Sequence, residues 1–326
     1  MLSEPIPSQK QPASHKAHFA PRRLGHVNLY VDNVERAYDF YTRVAGLDES
    51  YAQPLNRAAF LGNNNTHHDV AVIDIHGPLG RGSGVRLNHL AFELENEVDL
   101  VTGYQQASSA GVEYTMTMDH DIAHSVYGRD PDGNMNEIYA DVIKDWRAAR
   151  SGVVTKAKGK WSPGSTPPTS ERNYHDSPPL RRVEGAVFMP RRIVHATLVV
   201  SDMQASFDYY TTAIGLTPIA GNASSPFVVL GGTCGESNLS LFRAGNGREP
   251  GYHHAGFEAW NEEELEASVS KAAALGLRVD VDVSHSLRRS VFVTDPDGFR
   301  LQFFVDRSKA SLSLEGVPED IALYLF

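Results

Sequence analysis

Two histidines and a carboxylate have the types and placement to do chemistry. His26 lies in GHVNLYV, His89 in NHLAFEL and Glu137 in NEIYAD, each within a short run that reads as a strand. Successive strand side chains point to opposite faces, so His26 shares a face with Asn28, and His89 with Ala91 and Glu93. Glu137 follows the turn DPDG (130–133) in a strand otherwise suited to burial. An inward carboxylate near two inward imidazoles is costly unless its desolvated charge is compensated, and one divalent cation compensates all three. Two histidines and one carboxylate, leaving open positions, are the set preferred by non-haem Fe(II) in oxygen chemistry, and Mn(II) accepts the same ligands. Singly, each residue has a plainer reading. A strand histidine is commonly a hydrogen-bonded core residue, and Glu137 alone could sit on an edge strand. Together, at equivalent positions of duplicated units, they favour a metal site.

The duplication is plain in the text of the chain. GHVNLYVDNVERAYDFYTRVAGL (25–47) matches VHATLVVSDMQASFDYYTTAIGL (194–216) at an offset of 169. NHLAFEL (88–94) matches HHAGFEA (253–259) at an offset of 165, which persists to Glu137 and Gln302. Each half divides again into strand, helix and three short strands, such as VAVIDI (70–75) and SVYGRD (125–130). The spacing predicts a helix over 34–47 with Ala37, Tyr41 and Val44 inward and Gly46 as its stop. It predicts another over 261–277, with Asn261 and Glu264 as a capping box, Leu265, Val269 and Ala272 as the stripe, and Gly276 at its end. The expected fold is therefore α+β: four βαβββ modules paired into two domains. Residues 22–142 form a metal-binding catalytic domain and 191–307 its degenerate copy. Residues 1–21 read as a disordered arm, 143–190 as a linker rich in Ser and Pro, and 308–326 as a tail whose ALYLF packs back on the protein.

Composition narrows the function classes. The 326 residues carry 30 basic and 40 acidic side chains, a net charge of −10, which argues against a general nucleic-acid binder. No apolar run is long enough to span a bilayer, and the first twenty residues lack the core of a secretory signal. A single cysteine, Cys234, excludes an internal disulfide framework and suits a reducing cytoplasm. Of the fourteen histidines, His67 reads as solvent-facing by strand alternation, and His76 and His124 as loop or surface residues.

The paired βαβββ layout with His26, His89 and Glu137 resembles the vicinal oxygen chelate superfamily across nearly the whole of 22–307. Within it, the four-module plan is similar to the two-domain (type I) extradiol catechol dioxygenases. THHDVAVI (66–73) is similar to the family stretch that carries its catalytic histidine, matching at His68 and Asp69. His120, Val126-Tyr127, Asp130-Pro131, Gly133 and Glu137 follow the spacing of the family signature, although Met118 departs from it. The resemblance implies Fe(II)-dependent opening of a catechol by O2 beside its hydroxyls, giving a yellow semialdehyde, in an enzyme that commonly forms a homo-oligomer. It gives His68 the proton traffic on the oxygen side, has Tyr127 hydrogen-bond the substrate with His120 polarising the same region, and places Asn28 against substrate or O2. Three alternatives stay open: a glyoxalase-like isomerase or lyase using Ni(II) or Zn(II), a non-catalytic small-molecule binder, and a metal-free structural protein.

The second half keeps histidines at the ligand positions, His195 and His254, but Gln302 replaces the anionic ligand. Ser237 stands at the place of His68 and Phe292 at that of Tyr127, while His285 answers His120. That half is expected to be a wall, with the metal in the first half, the reverse of the usual arrangement in the family.

Overall fold

Periodicity resolves into the expected unit four times in the computed structural model, which describes residues 16–156, 159–245, 247–308, 314 and 316–326. The first module is β1 (Arg23–Val31), α1 (Val34–Asp39, continued by a π-helical turn, Phe40–Val44), β2 (Glu49–Gln53), β3 (Ala58–Leu61) and β4 (Val70–Asp74). The second is β5 (Arg86–Glu93), α2 (Glu97–Ser109), β6 (Met116–Asp119), β7 (Ala123–Arg129) and β8 (Met135–Asp141). A connecting segment adds α3 (Trp146–Ala149) and β9 (Gly152–Val153). The third module is β10 (Pro190–Val200), α4 (Met203–Asp208, with a π-helical turn, Tyr209–Ile214), β11 (Thr217–Ala220), β12 (Phe227–Gly231) and β13 (Ser237–Arg243). The fourth is β14 (Gly251–Ala259), α5 (Glu262–Ala274), β15 (Val281–Ser284), β16 (Arg288–Thr294) and β17 (Arg300–Asp306), after which comes α6 (Glu319–Ala322). The result is an α+β fold of two sheets, ordered β6-β7-β8-β5-β1-β4-β3-β2-β9 and β11-β12-β13-β10-β14-β17-β16-β15.

Local chemistry explains the helix ends. Asn33, Asn96, Asp202 and Asn261 each accept a hydrogen bond from a backbone N–H three residues on, satisfying a first-turn donor. The Asn261–Glu264 box forms with a twist: the Asn261 amide also donates to the Glu264 carboxylate at 3.0 Å. In α1 the inward stripe departs from expectation. Ala37 and Tyr41 are buried, but the wide π turn brings Ala45 rather than Val44 into the core. Gly46 then closes the turn at φ 76°, where a Cβ would strike the Phe188 carbonyl.

The halves share one core, with Leu24, Leu90 and Ile138 continuous with Ile193, Leu198 and Phe303. The DPDG turns do more than reverse the chain, because each clasps the other half. Tyr210 donates to Asp130 at 2.8 Å and the Ser201 backbone N–H to Asp132 at 3.1 Å. Symmetrically, Tyr41 donates to Asp295 at 3.2 Å and Arg36 to Asp297 at 2.6 Å. Asp69 adds a further tie, accepting from the backbone N–H groups of Asn63 and Ile193.

Three segments depart from or extend the sequence reading. Of the arm, residues 16–21 are ordered: Phe19 is 4% exposed, and its ring lies where a Cβ on Gly103 would meet it at 2.3 Å. His18 donates its backbone N–H to Thr212 of the second half. An aromatic ring filling the seam between the halves outweighs the polar composition around it; residues 1–15 lie outside the described residues. The segment 143–190 lacks long elements but buries Trp146, Trp161 and Tyr174, and β9 joins the sheet beside β2. Its Ser and Pro content signals an irregular path, not detachment. The tail does pack back, with Leu325 and Phe326 buried against Phe227 and Phe242, while 309–313 and 315 lie outside the described residues.

Candidate metal centre

Register assembles the three residues picked from the sequence. β8, β5 and β1 are neighbours, and Ala91 of β5 pairs with His26 on one side and Glu137 on the other. His89 lies two residues before Ala91, on the same face. A methyl group between them leaves the space where the three side chains meet. Glu137 Oε2 is 3.1 Å from His26 Nε2 and 2.9 Å from His89 Nε2. Ser125, on β7, donates to the other Glu137 oxygen at 2.5 Å. Glu137 is 3% exposed and the two histidines are buried as well.

This arrangement has the electrostatics of a cation site. His89 Nδ1 lies 2.5 Å from the Asn88 side-chain oxygen, a contact that suits a proton on Nδ1 and would free Nε2, which faces the Glu137 carboxylate, to ligate a cation. Two imidazole nitrogens this close to one anionic oxygen need a proton or a cation between them. Burial lowers His26 to a pKa of about 4 despite the opposing pull of Glu137, which keeps the imidazole neutral at pH 7 and ready to ligate. Burial alone would raise Glu137, but the facing histidines outweigh it and hold the carboxyl well below its usual range. The donor set of two imidazoles and one carboxylate suits a divalent transition metal.

The other sequence-selected residues surround this point. His68 Nε2 lies 3.1 Å from Asn28 Oδ1, and its ring sits 4.0 Å from that of His26. Burial, with His26 and His67 alongside, drives His68 well below the usual histidine range. Across the cup, His120 Nε2 is 2.9 Å from the Tyr127 hydroxyl and 3.6 Å from Glu137. Burial raises Tyr127 well above 10, keeping it a neutral phenol. Tyr51, Phe60, Ile122 and Ala123 complete the walls, leaving about 20 Å³ of free volume.

Two histidine readings need correction. His67 is 6% exposed, not solvent-facing: residues 63–69 run irregularly between β3 and β4, so strand alternation does not apply to them. Its Nδ1 lies 3.5 Å from Asp141, and with His26 and His68 it forms a second cluster able to hold a metal. His124 lies within β7, mostly buried, stacked on Trp161 at 4.5 Å and paired with Glu97 at 2.7 Å. The connecting segment supplies that tryptophan, which no local pattern announces. His76 is exposed, as expected, beside Asp32. Two neighbours escaped the sequence reading. Ser125 shares a strand face with Tyr127 and could have been found by parity. Arg150 is buried beside Tyr51 and donates to Asp121 at 2.8 Å, a contact no spacing signals.

In the second half, His195, His254 and Gln302 are fully buried in the equivalent cup. Residues 324–326 fill it: Gln302 donates to the Tyr324 and Leu325 carbonyls, and Thr197 to that of Phe326.

Comparison with known proteins agrees with this architecture. The chain is 34% identical over 125 residues to biphenyl-2,3-diol 1,2-dioxygenase 3 of Rhodococcus globerulus, covering 36% of this chain and 63% of that protein. It is 29% identical over 124 residues to biphenyl-2,3-diol 1,2-dioxygenase 2 of the same organism, covering 37% and 64%. The matched region is thus under two thirds of these relatives' length. Among solved structures, the Mn(II)-bound glyoxalase from Novosphingobium aromaticivorans superposes with a TM-score of 0.64 at 15% identity, covering 92% of both chains. The 2,3-dioxygenase LapB from Pseudomonas sp. KL28 gives 0.64 at 17% identity, covering 88% of this chain and 93% of the other. At these identities the structures establish the fold alone. The family model for the Glyoxalase/Bleomycin resistance protein/Dioxygenase superfamily matches residues 23–138 and again 192–303, and the chain belongs to that superfamily.

Proposed function

We propose that the protein is an extradiol ring-cleaving dioxygenase that opens a catechol-type diol with O2 at a metal held by His26, His89 and Glu137 in the first half. One observation carries this reading: two imidazole nitrogens converge on a single buried carboxylate oxygen. The family likeness to diol dioxygenases supports the reaction class. Fe(II) fits the donor set, and Mn(II) would take the same ligands. A cation there would gather both diol oxygens and O2 at one centre and favour the ionised diol.

The chain's own groups divide the remaining work. Tyr127, a neutral phenol aligned by His120, donates a hydrogen bond to a substrate oxygen and steadies its developing charge. His68 stands on the other side of the cup. Its bond to Asn28 fixes the proton on Nε2, leaving the Nδ1 lone pair to accept a proton and return it as the oxygen–oxygen bond breaks. Asn28 orients that ring and lines the space beside it. Phe60 and Tyr51 offer apolar surface to a ring. Free volume of about 20 Å³ is the space of one water, so a diol needs the walls to give way. The walls carry one carboxylate, whereas a glyoxalase-like isomerase would need a second.

The test is anaerobic loading with Fe(II) followed by oxygen uptake on diols ranging from catechol to biphenyl-2,3-diol. One O2 consumed per diol with a yellow product supports the proposal; iron bound at His26, His89 and Glu137 without uptake on any diol defeats it. Assembly as a homo-oligomer and a cytoplasmic location belong to the same proposal. No helix among the described residues is long and apolar enough to cross a membrane.

A further inference from the structure

Loss of a ligand by drift would leave the second cup a collection of indifferent side chains. Instead, the exchanges at Gln302, Arg288, Thr197 and Phe292 all touch the segment that fills it. Gln302 stands where the first half has Glu137, and its amide donates to the Tyr324 carbonyl at 3.1 Å and the Leu325 carbonyl at 3.3 Å. A carboxylate cannot donate, and at those distances it would repel both oxygens. The bond to the neighbouring serine is reversed accordingly. Ser125 donates to Glu137 in the first cup, whereas Gln302 donates to Ser290 at 2.9 Å in the second. Arg288 takes the place of Ala123, donates to the Leu325 carbonyl at 2.5 Å, and lies over the Phe326 ring at 4.6 Å. Thr197, in the place of Asn28, donates to the Phe326 carbonyl at 2.7 Å. Apolar walls from Phe227, Val229 and Phe242 enclose Leu325 and Phe326.

The same exchanges exclude a cation. Gln302 brings no charge, and the Arg288 guanidinium is buried in the cup while its ion-pair partner, Asp306, is half exposed to solvent. The metal-ligand histidine positions nevertheless survive. Both ring nitrogens of His195 are buried without a partner, and so is the Gln302 side-chain oxygen.

We propose that the second cup is a peptide socket refitted from a metal cup, whose ligand is the chain's own apolar segment 321–326, and that Gln302 is the residue that selects backbone carbonyls over a cation. The ligand class is an apolar peptide segment that presents consecutive main-chain oxygens to amide, guanidinium and hydroxyl donors. This reading is independent of the reaction in the first half. It makes the second half a device for closing the fold around its own tail, with a latent metal site beneath the plug.

Full-length Gln302→Glu protein at pH 8 tests it by hydrogen exchange of residues 317–326 and by Co(II) stoichiometry. Wild type is expected to protect that segment and to bind no Co(II) that depends on His254. Gln302→Glu should lower the protection by about tenfold or more, from the loss of two hydrogen bonds and the added repulsion. Gln302→Met, which loses the donors without adding charge, should lower it less. Combining Gln302→Glu with Arg288→Ala should add one Co(II) per chain, abolished by His254→Ala. If Gln302→Glu folds poorly, Leu325→Ala with Phe326→Ala gives the exchange readout, with the same loss of protection. Unchanged protection in Gln302→Glu, or a His254-dependent Co(II) in wild type, would overturn the proposal.

Discussion

Glu137→Gln converts the first cup into the donor set of the second and tests the metal assignment directly. Glu137 is 3% exposed and faces two imidazole nitrogens at 2.9 and 3.1 Å. Removing one partner from a buried charge pair costs about 3–5 kcal/mol. At 1.4 kcal/mol per tenfold, that is roughly 10²- to 4 × 10³-fold in cation affinity. The metal-free protein should respond in the opposite sense. The new amide can still donate to an imidazole nitrogen and brings no buried charge, so metal-free Glu137→Gln should melt no lower than wild type. The assay is Co(II) titration of metal-free protein by its visible absorption, alongside thermal melting, with oxygen uptake after Fe(II) loading as a third readout. Wild-type Co(II) affinity in Glu137→Gln would refute the assignment. Affinity lost together with a collapsed melting temperature would mean that Glu137 holds the fold, not an ion.

Four further outcomes follow from the same geometry. His68→Phe should keep Co(II) affinity within about threefold while slowing turnover about 10²-fold or more, by analogy with other general acid–base groups; loss of the metal instead would make His68 a ligand. Tyr41→Phe and Tyr210→Phe should each cost about 1–2 kcal/mol in urea unfolding, and the pair should add, because the clasps are separate. Burial raises Asp69 from 3.8 to about 6 in the fold, so its protonated form is favoured there. Its contribution is fully present below pH 4 and lost as pH rises through 6; Asp69→Asn should flatten that part of the stability profile by about 1–3 kcal/mol. Arg150 and Lys156 both hold Asp121, which sits at φ 66° next to His120. Arg150→Met should leave Co(II) affinity unchanged yet lower kcat/KM for diols about tenfold, and unchanged kinetics would show that this loop does not position His120.

How much was legible in the sequence depends on the range of the interaction. Strand parity placed His26 and His89 inward, the repeat offset paired Glu137 with Gln302, and the fourfold βαβββ plan followed from periodicity and turn residues. Each of these is a property of a few adjacent residues or of two copies compared. The meeting of the three ligands required something else: the register that sets Ala91 between His26 and Glu137, fixed only when three strands from distant parts of the chain align. His67 was misplaced because parity fails wherever the backbone leaves the extended state. Phe19, the clasping DPDG carboxylates and the plug over Gln302 were invisible for a related reason. Their partners lie beyond any local window, 22 residues away for Gln302 and Tyr324 and 80 for Asp130 and Tyr210, and burial of an aromatic ring or a carbonyl is decided by what packs on it. The sequence by itself determined which side chains share a face and which ligand the second half gave up. Only the tertiary structure decided that Gln302 serves the tail, because a hydrogen-bond donor shows its purpose only beside the acceptor it meets.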